Sequence, residues 1–423
     1  MSLFPGYSAT ALAGLLVATT LPAQAVVALA ETPTIGANGD ADDPAIWLHP
    51  TDLAKSLVIT AVKEEGGRVY DLGAGQVQML SPFPVASGVS RINNVDVQYG
   101  FRMYDGSRVD IAVGSDRGQD VFRVWKIDGD AASPLDYIGS ANPSRAFLDK
   151  PNGDPNPVSA QNTAYGMTLY RDVAADRMYV LATQRSQPRV AQFELVALAD
   201  GTVDTQWVRD WDFPSMAVNG TPVNLAGKQF EGLVVDQQSG LLYAGQEDVG
   251  IWRIDLNTGS AEASPFVLSR NYDLTSPLRA DIEGLALYYG TNGAGYLLAS
   301  SQGDNSFAVF DRQAGNAYLG SFSVAAGAFD SVQESDGADV TNLALPGYPQ
   351  GLFITQDGNN TPEAGTNFKF VSWGEIAQEK GLVVDTSSYD PRSVTAVPEP
   401  SAYALMLAGL GMTAWAARRR KRS

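Results

Sequence analysis

One order of features recurs six times along this chain: a polar entry, a short apolar strand, a turn, a second strand, a polar loop and a third strand. The copies are "DPAIWLHPTDLAKSLVITAVKEEGGRVYDL" from Asp43, "NNVDVQYGFRMYDGSRVDIAVGSDRGQDVFRVWKI" from Asn93 and "YGMTLYRDVAADRMYVLATQRSQPRVAQFEL" from Tyr165. They continue with "EGLVVDQQSGLLYAGQEDVGIWRIDL" from Glu231 and "EGLALYYGTNGAGYLLASSQGDNSFAVFDR" from Glu283. A weaker sixth is "GADVTNLALPGYPQGLFITQDGNN" from Gly337, followed by "NFKFVSW". Runs rich in Val, Ile, Leu, Tyr and Trp between Gly, Asp, Asn and Pro read as strands and turns. A spacing of about 50 to 70 residues suits four-stranded propeller blades. Any one copy is an ordinary antiparallel meander; six in series predict an all-β fold, a six-bladed β-propeller closed into one domain.

Length and composition agree. A chain of 423 residues allows two or three domains or one large β architecture, and its 44% hydrophobic content supports a sizeable core. The absence of cysteine excludes disulfides and thiolate chemistry. The single histidine, His49, excludes most His-rich metal sites and argues against a Ser-His-Asp triad. A net charge of −18 argues against nucleic acid, or an anionic membrane, as a partner for a basic surface. The expected partners are cations, or substrates that arrive with cations.

The two ends read as addresses rather than fold. Residues 1–30 carry no charged side chain, and the apolar "ALAGLLVATTLPAQA" ends in small residues, as a signal peptide does. At the other end, Pro-Glu-Pro at 398–400 precedes an apolar stretch and the basic cluster Arg418, Arg419, Arg420, Lys421 and Arg422. This three-part pattern resembles the PEP-CTERM sorting signal. That resemblance implies export to the cell surface, periplasm or exterior, with signal peptidase and an exosortase as processing partners and a C-terminal anchor that is cleaved. The expected division is 1–30 signal peptide, 31–390 propeller, and 391–423 linker plus sorting signal. Both ends removed, the body keeps 24 basic and 46 acidic residues, so the acid excess belongs to the folded ring.

Equivalent positions of a propeller gather around its axis. The polar entries should therefore meet: Asp42 and Asp43, Asn93 and Asn94, Tyr165, Glu231, Asp281 with Glu283, and Asp336. The loops after each second strand should face the same mouth, bringing Lys63, Asp116 and Arg117, Arg185, Glu247 and Asp248, Asp304, and Asp357. Taken singly, most such aspartates are turn residues. A ring of carboxylates with oxygen-only ligands suits a hard cation, Ca²⁺ or Mg²⁺, and the crowding favours Ca²⁺. Lys63, Arg117 and Arg185 read either as charge balance or as a phosphate clamp. With no P-loop and no Cys or His nucleophile, metal-assisted attack of water on a phosphate ester remains.

The motifs "GDADDPAIW" at 39–47, "NNVDV" at 93–97, "VDIAVGSDR" at 109–117, "YGMTLY" at 165–170, "FEGLVVD" at 230–236, "EDVGIW" at 247–252, "ADIEGLALYY" at 280–289, "YLLASSQGDNS" at 296–306, "SDGADV" at 335–340 and "TQDGNN" at 355–360 resemble, in order, the β-propeller phytases. The resemblance spans about residues 31–385 and implies a secreted, monomeric, calcium-dependent enzyme that hydrolyses phytate, myo-inositol hexakisphosphate. One phosphate occupies a cleavage subsite, an adjacent one an affinity subsite, and a calcium-bridging water attacks phosphorus. Matched by motif, Asp43, Glu231, Asp281, Glu283 and Asp336 look like active-site calcium ligands. Glu247 looks like a further ligand near the affinity subsite, joined by Glu31, and Gln302 contributes near the central channel. Lys63, Arg117 and Tyr165 look like phosphate contacts; Arg185 stands where the family has Lys. Asp330, Asp357 and Asn360 look like structural calcium ligands. A different phosphoesterase or lactonase on the same architecture, and a non-catalytic surface propeller binding an anionic polymer through Ca²⁺, remain open alternatives at this point.

Overall fold

A computed structural model describes residues 25–36, 39–84, 90–153, 157–313 and 315–394. The signal-peptide assignment up to residue 24 and the sorting signal lie outside the described residues. Among the described residues no helix is long and apolar enough to cross a membrane.

Among the described residues, six antiparallel sheets form the ring, five of four strands and one of five. The first blade is Ala41–Trp47, Leu57–Val62, Gly66–Tyr70 and Gln76–Leu80, paired in that order. Its second strand, "LVITAV", is buried at every position because neighbouring blades cover both faces. A strand enclosed on both sides reads as a continuous apolar run rather than an alternation. The innermost strands of the next blades are Ile92–Arg102, Ala164–Asp172, Phe230–Asp236, Ile282–Tyr289 and Ala338–Thr341. They pack side by side around the axis.

The last blade is completed from the start of the chain. Ala28–Glu31 pairs with Gly365–Ser372, with Glu31 opposite Lys369. Folded structure therefore begins ahead of residue 31, and the ring is closed by a strand contributed by the other end of the chain. With no disulfide available, this pairing and the packing between blades hold the circle.

A repeated irregularity shapes the mouth. In five blades the innermost strand carries one extra residue against its neighbour. The shifts fall between Ala41 and Pro44, Ile92 and Val95, Ala164 and Met167, Phe230 and Leu233, and Ile282 and Leu285. A β-bulge bends the strand and re-aims the side chains within it. Each one sits on the polar entry residues, at Asp42 and Asp43, Asn93 and Asn94, Tyr165, Glu231 and Glu283. Strict alternation would send one of two consecutive residues into a sheet face; the bulge frees both for the axis.

The residue after the polar one is glycine in several blades, and two of these show why. A Cβ at Gly166 would lie 1.9 Å from the Glu231 carbonyl oxygen, and one at Gly232 would lie 1.7 Å from that of Glu283. Only glycine lets adjacent innermost strands approach so closely.

The innermost strands all run from this mouth to the opposite face, where His49 ends up. His49 is buried and its Nδ1 accepts from the backbone N–H of Asp52 at 3.0 Å, a structural duty far from the acidic residues. The segment after helix Trp373–Lys380 crosses that far face. Tyr389 stacks on Tyr289 with centroids 3.8 Å apart, and Arg392 pairs with Asp110 at 2.6 Å.

Candidate active site

Three glutamates from adjacent blades meet at the mouth. Glu231 and Glu283 enter from bulges, and Glu247 follows the second strand Leu241–Gln246. One carboxylate oxygen of each lies within 4.8 Å of the others. Tyr165 Oη donates to Glu231 Oε2 at 2.7 Å, and Asn93 Nδ2 donates to Glu231 Oε1 at 2.8 Å. Glu283 Oε2 is buried with no hydrogen-bond partner among the described residues.

The electrostatics follow from this crowding. Burial, then the charge of Glu231, pushes Glu283 well above the usual carboxylate range. Burial and Glu231 likewise push Glu247 up to about 9. Burial opposes ionisation of Glu231 too, but hydrogen bonding from Glu283, the charge of Lys63 and bonds from Tyr165 and Asn93 hold it below its ordinary value. Without a cation the group keeps protons between its members. A divalent ion would supply the missing charge, and the orphaned Glu283 oxygen and the oxygen-only donor set fit a hard one.

A second acid group lies beside it. Lys63 Nζ is 2.7 Å from Asp42, 3.1 Å from Asp336 and 3.2 Å from Asp40. Asp42 is 1% exposed, and burial raises its carboxyl well above the usual range. Burial also raises Asp336, to about 6, against the pull of Lys63. Gln302 Nε2 donates to Asp336 Oδ1 at 2.7 Å, which places Gln302 in the mouth. Asp43 lines a cavity of about 50 Å³ on the axis with Asn94, Asp96 and Asp339; burial, then Asp42, raises its carboxyl. Asp281 is half-buried beside this group, and burial followed by Asp248 and Glu231 raises it.

The basic side of the mouth is built from blades two and three. Arg117 donates to Asn93 Oδ1 at 2.7 Å, and its guanidinium lies 5.3 Å from the centre of the Tyr165 ring. Arg185 donates to Gln161. Burial, then repulsion from Arg117 and Arg91, lowers Arg185 from its ordinary value. Lys63, Arg117, Tyr165 and Arg185 thus share one mouth with the glutamates.

Four predicted residues gather elsewhere. Glu31, Asp330, Asp357 and Asn360 surround Lys369, which is 0% exposed. Lys369 Nζ bonds Glu31 and Asp330 and lies 3.0 Å from Asn360 Oδ1 and 3.3 Å from Asp357 Oδ2. Glu31 therefore groups with this outer cluster rather than with Glu247. Asp357 sits inside strand Leu352–Asn360, not in a loop facing the mouth, and it accepts from Gln333 N–H at 3.0 Å. Asp304 is a turn residue, bonded by Ser301 and Ser306 at 2.8 Å. Asp116 is a buried anchor, clamped by Arg123 and Ser90.

Asn93, which links Arg117 to Glu231, and Asp42, which takes the shortest contact to Lys63, meet at the mouth as the repeat predicts, although the family resemblance gave them no role. Arg91 is a mouth residue that the sequence reading did not name. The repeat contains the signal for Arg91. It stands just ahead of its innermost strand, where blade one has Asp40 and blade five has Asp281.

A propeller mouth that combines converging carboxylates, orphaned acid oxygen and a lysine–arginine arc has the layout of a phosphoric monoester hydrolase. The comparisons agree with that class. The family model described as Phytase matches residues 5–396, and the chain belongs to the phytase family. A 3-phytase of Bacillus subtilis (strain 168) is 36% identical over 370 residues, covering 85% of this chain and 86% of that protein. The PEP-CTERM protein-sorting motif matches residues 396–421 and marks an exported protein with a C-terminal sorting tail. A solved structure of BBS1N in complex with ARL6DN, soaked with mercury, shares 10% identity at a TM-score of 0.40, over 75% of this chain and 74% of that one. It is too distant to bear on fold or function.

Proposed function

We propose that this protein is an exported, monomeric, calcium-dependent phytase that hydrolyses phosphate monoesters of myo-inositol hexakisphosphate at the acidic mouth of the ring. The observation that carries this reading is the meeting of the Glu231, Glu247 and Glu283 carboxylates with the Lys63, Arg117, Tyr165 and Arg185 side chains in one mouth.

Glu231, Glu247, Glu283, Asp281, Asp43 and Asp336, with Gln302, are the residues that would hold Ca²⁺ there. Glu31, Asp330, Asp357 and Asn360 would hold a structural ion around Lys369. Bound in the mouth, Ca²⁺ supplies positive charge to phosphoryl oxygens and acidity to water. The chain's own groups do the positioning. Lys63 and the guanidinium groups of Arg117 and Arg185 would orient the phosphates of the substrate. Tyr165, fixed by its hydrogen bond to Glu231, offers a polar edge beside Arg117. Burial and the charge of Lys63 pull the mouth's carboxylates apart in proton affinity, so that some hold a proton while others stay ionised. The sorting tail would be processed by an exosortase after export.

The test is phosphate release from calcium phytate by the purified protein, with and without EGTA. Release that depends on calcium supports the reading; no release in the presence of calcium overturns it. A folded Asp43→Asn variant with full activity would remove Asp43 from the site. Calcium that binds only the folded ring stabilises it by mass action, about 3 kcal/mol at a hundredfold excess over Kd. EGTA is therefore expected to lower the melting temperature along with activity, and identical melting curves would count against bound structural calcium.

A further inference from the structure

We propose that Arg91 is a further substrate-positioning residue, which holds a non-reacting phosphate at the rim of the mouth after that phosphate displaces Glu64 from it. The proposal rests on the reading of the mouth as a site for a polyphosphorylated ester and adds a contact to it.

The backbone of Arg91 is fixed. Its N–H donates to Asp116 Oδ1 at 2.9 Å, and its carbonyl accepts from Arg117 N–H at 2.9 Å. Asp116 is fully buried and held in turn by Arg123 and Ser90. Arg91 and Arg117 therefore leave a single rigid platform side by side, one just ahead of the innermost strand of blade two and one just after the second strand, Arg108–Asp116. Both repel Arg185 across the mouth. Three guanidinium groups thus share one region of the rim, an arrangement that an incoming anion relieves.

The side chain of Arg91, by contrast, is only lightly held. Its guanidinium pairs with Glu64 Oε1 at 2.5 Å and reaches Asp40 Oδ2 at 3.6 Å. Asp40 is already shared with Lys63 at 3.2 Å. Glu64 is exposed, and Arg91 Nε is buried with no hydrogen-bond partner among the described residues. A pair with so exposed a carboxylate is worth at most about 1 kcal/mol and exchanges easily. A phosphate dianion offers the guanidinium more charge and a bidentate geometry that one glutamate oxygen does not. The ligand class follows: an ester with several phosphates on neighbouring carbons. A monophosphate seated among the glutamates has no group to place at the rim.

The experiment uses the full chain with calcium and the variants Arg91→Ala, Arg91→Lys and Glu64→Gln. Arg91→Ala is expected to raise KM for inositol hexakisphosphate about tenfold, the size of one charge-assisted contact, and to raise KM by more than it lowers kcat. The rise for p-nitrophenyl phosphate should be at least several-fold smaller. Arg91→Lys should recover part of the loss, and Glu64→Gln should lower KM for the hexakisphosphate. Equal KM changes for both substrates, or no change for either, would overturn the proposal. Calorimetric binding of the non-hydrolysable inositol hexasulfate provides a readout independent of turnover. If the wild type bound hexasulfate but released no phosphate, the catalytic reading would fail, while a weaker Kd for Arg91→Ala would still support the contact. An unchanged Kd for a variant that melts like the wild type would refute it.

Discussion

Two carboxylate clusters of this ring differ in whether they enclose a counter-charge of their own. The outer cluster is built around a cation of its own: Lys369 sits fully buried among Glu31, Asp330, Asp357 and Asn360. In the mouth, Glu231, Glu247 and Glu283 converge without an ammonium among them, because Lys63 is taken up by Asp42, Asp336 and Asp40. The proton affinities of Asp330 and of the mouth glutamates differ, although burial still raises Asp357 beside Lys369. Burial acts against the Asp330 carboxylate, yet bonds from Lys369 and Thr361 hold it below the usual range. Burial and mutual repulsion drive Glu283 and Glu247 the other way. Carboxylates supplied with an internal counter-charge depend less on an external cation than carboxylates left without one.

The strongest way to break this contrast is Glu283→Gln. The amide keeps the shape but not the charge, so calcium-dependent phosphate release is expected to fall by about a hundredfold or more while the ring stays folded. Steady-state rates alongside circular dichroism would check it, and a variant that lost its fold but kept its turnover per folded molecule would reverse the roles of the clusters. The reciprocal change is Lys369→Met. Removing the buried ammonium leaves several carboxylates facing one another and should cost roughly 3–5 kcal/mol in calcium-free buffer. Urea titration reads that loss directly; a larger effect on kcat of the folded protein than on stability would contradict it.

Tyr165→Phe probes the seam between acid and base within the mouth. It deletes the 2.7 Å bond to Glu231 and leaves the ring beneath Arg117, so a loss of about tenfold in kcat/KM with little change in melting temperature is expected. The smallest effect concerns the axis. Burial raises Asp339 to about 7 although it accepts from the N–H groups of Ile46 and Val340. Its folded state thus binds a proton more tightly than the unfolded chain does. The stability this contributes is full below about pH 4 and is lost as pH rises through 7, at roughly 1 kcal/mol per pH unit. In calcium-free protein, Asp339→Asn should flatten that stretch of the stability–pH curve relative to wild type. Parallel curves for the two would show that Asp339 does not titrate there.

The blades were legible because each is a local object. Strand, turn and strand are encoded within a few dozen residues, by runs such as "LVITAV" and "GYLLASS" that pair with their sequence neighbours. Equivalence between blades then brings Glu231, Glu283, Asp336, Lys63 and Arg117 to one mouth. An isolated arginine before "INN" carries no chemical motif, so the meaning of Arg91 lies in what Asp116 and Glu64 do around it.

By itself, the sequence determined the architecture, the acid-rich mouth and the absence of thiol or histidine chemistry, since these depend on composition and on a repeat that survives reading in one dimension. The tertiary structure alone decided which charges neutralise which. Lys63 meets Asp336 across 273 positions and Lys369 meets Glu31 across 338, contacts that exist only once the ring has closed. The bulges are of the same kind: an extra residue in a ladder is a matter of hydrogen-bond register between strands, and register is set by the partner strand. That is why aspartates and glutamates that look alike along the chain separate into one cluster with a lysine at its centre and one without.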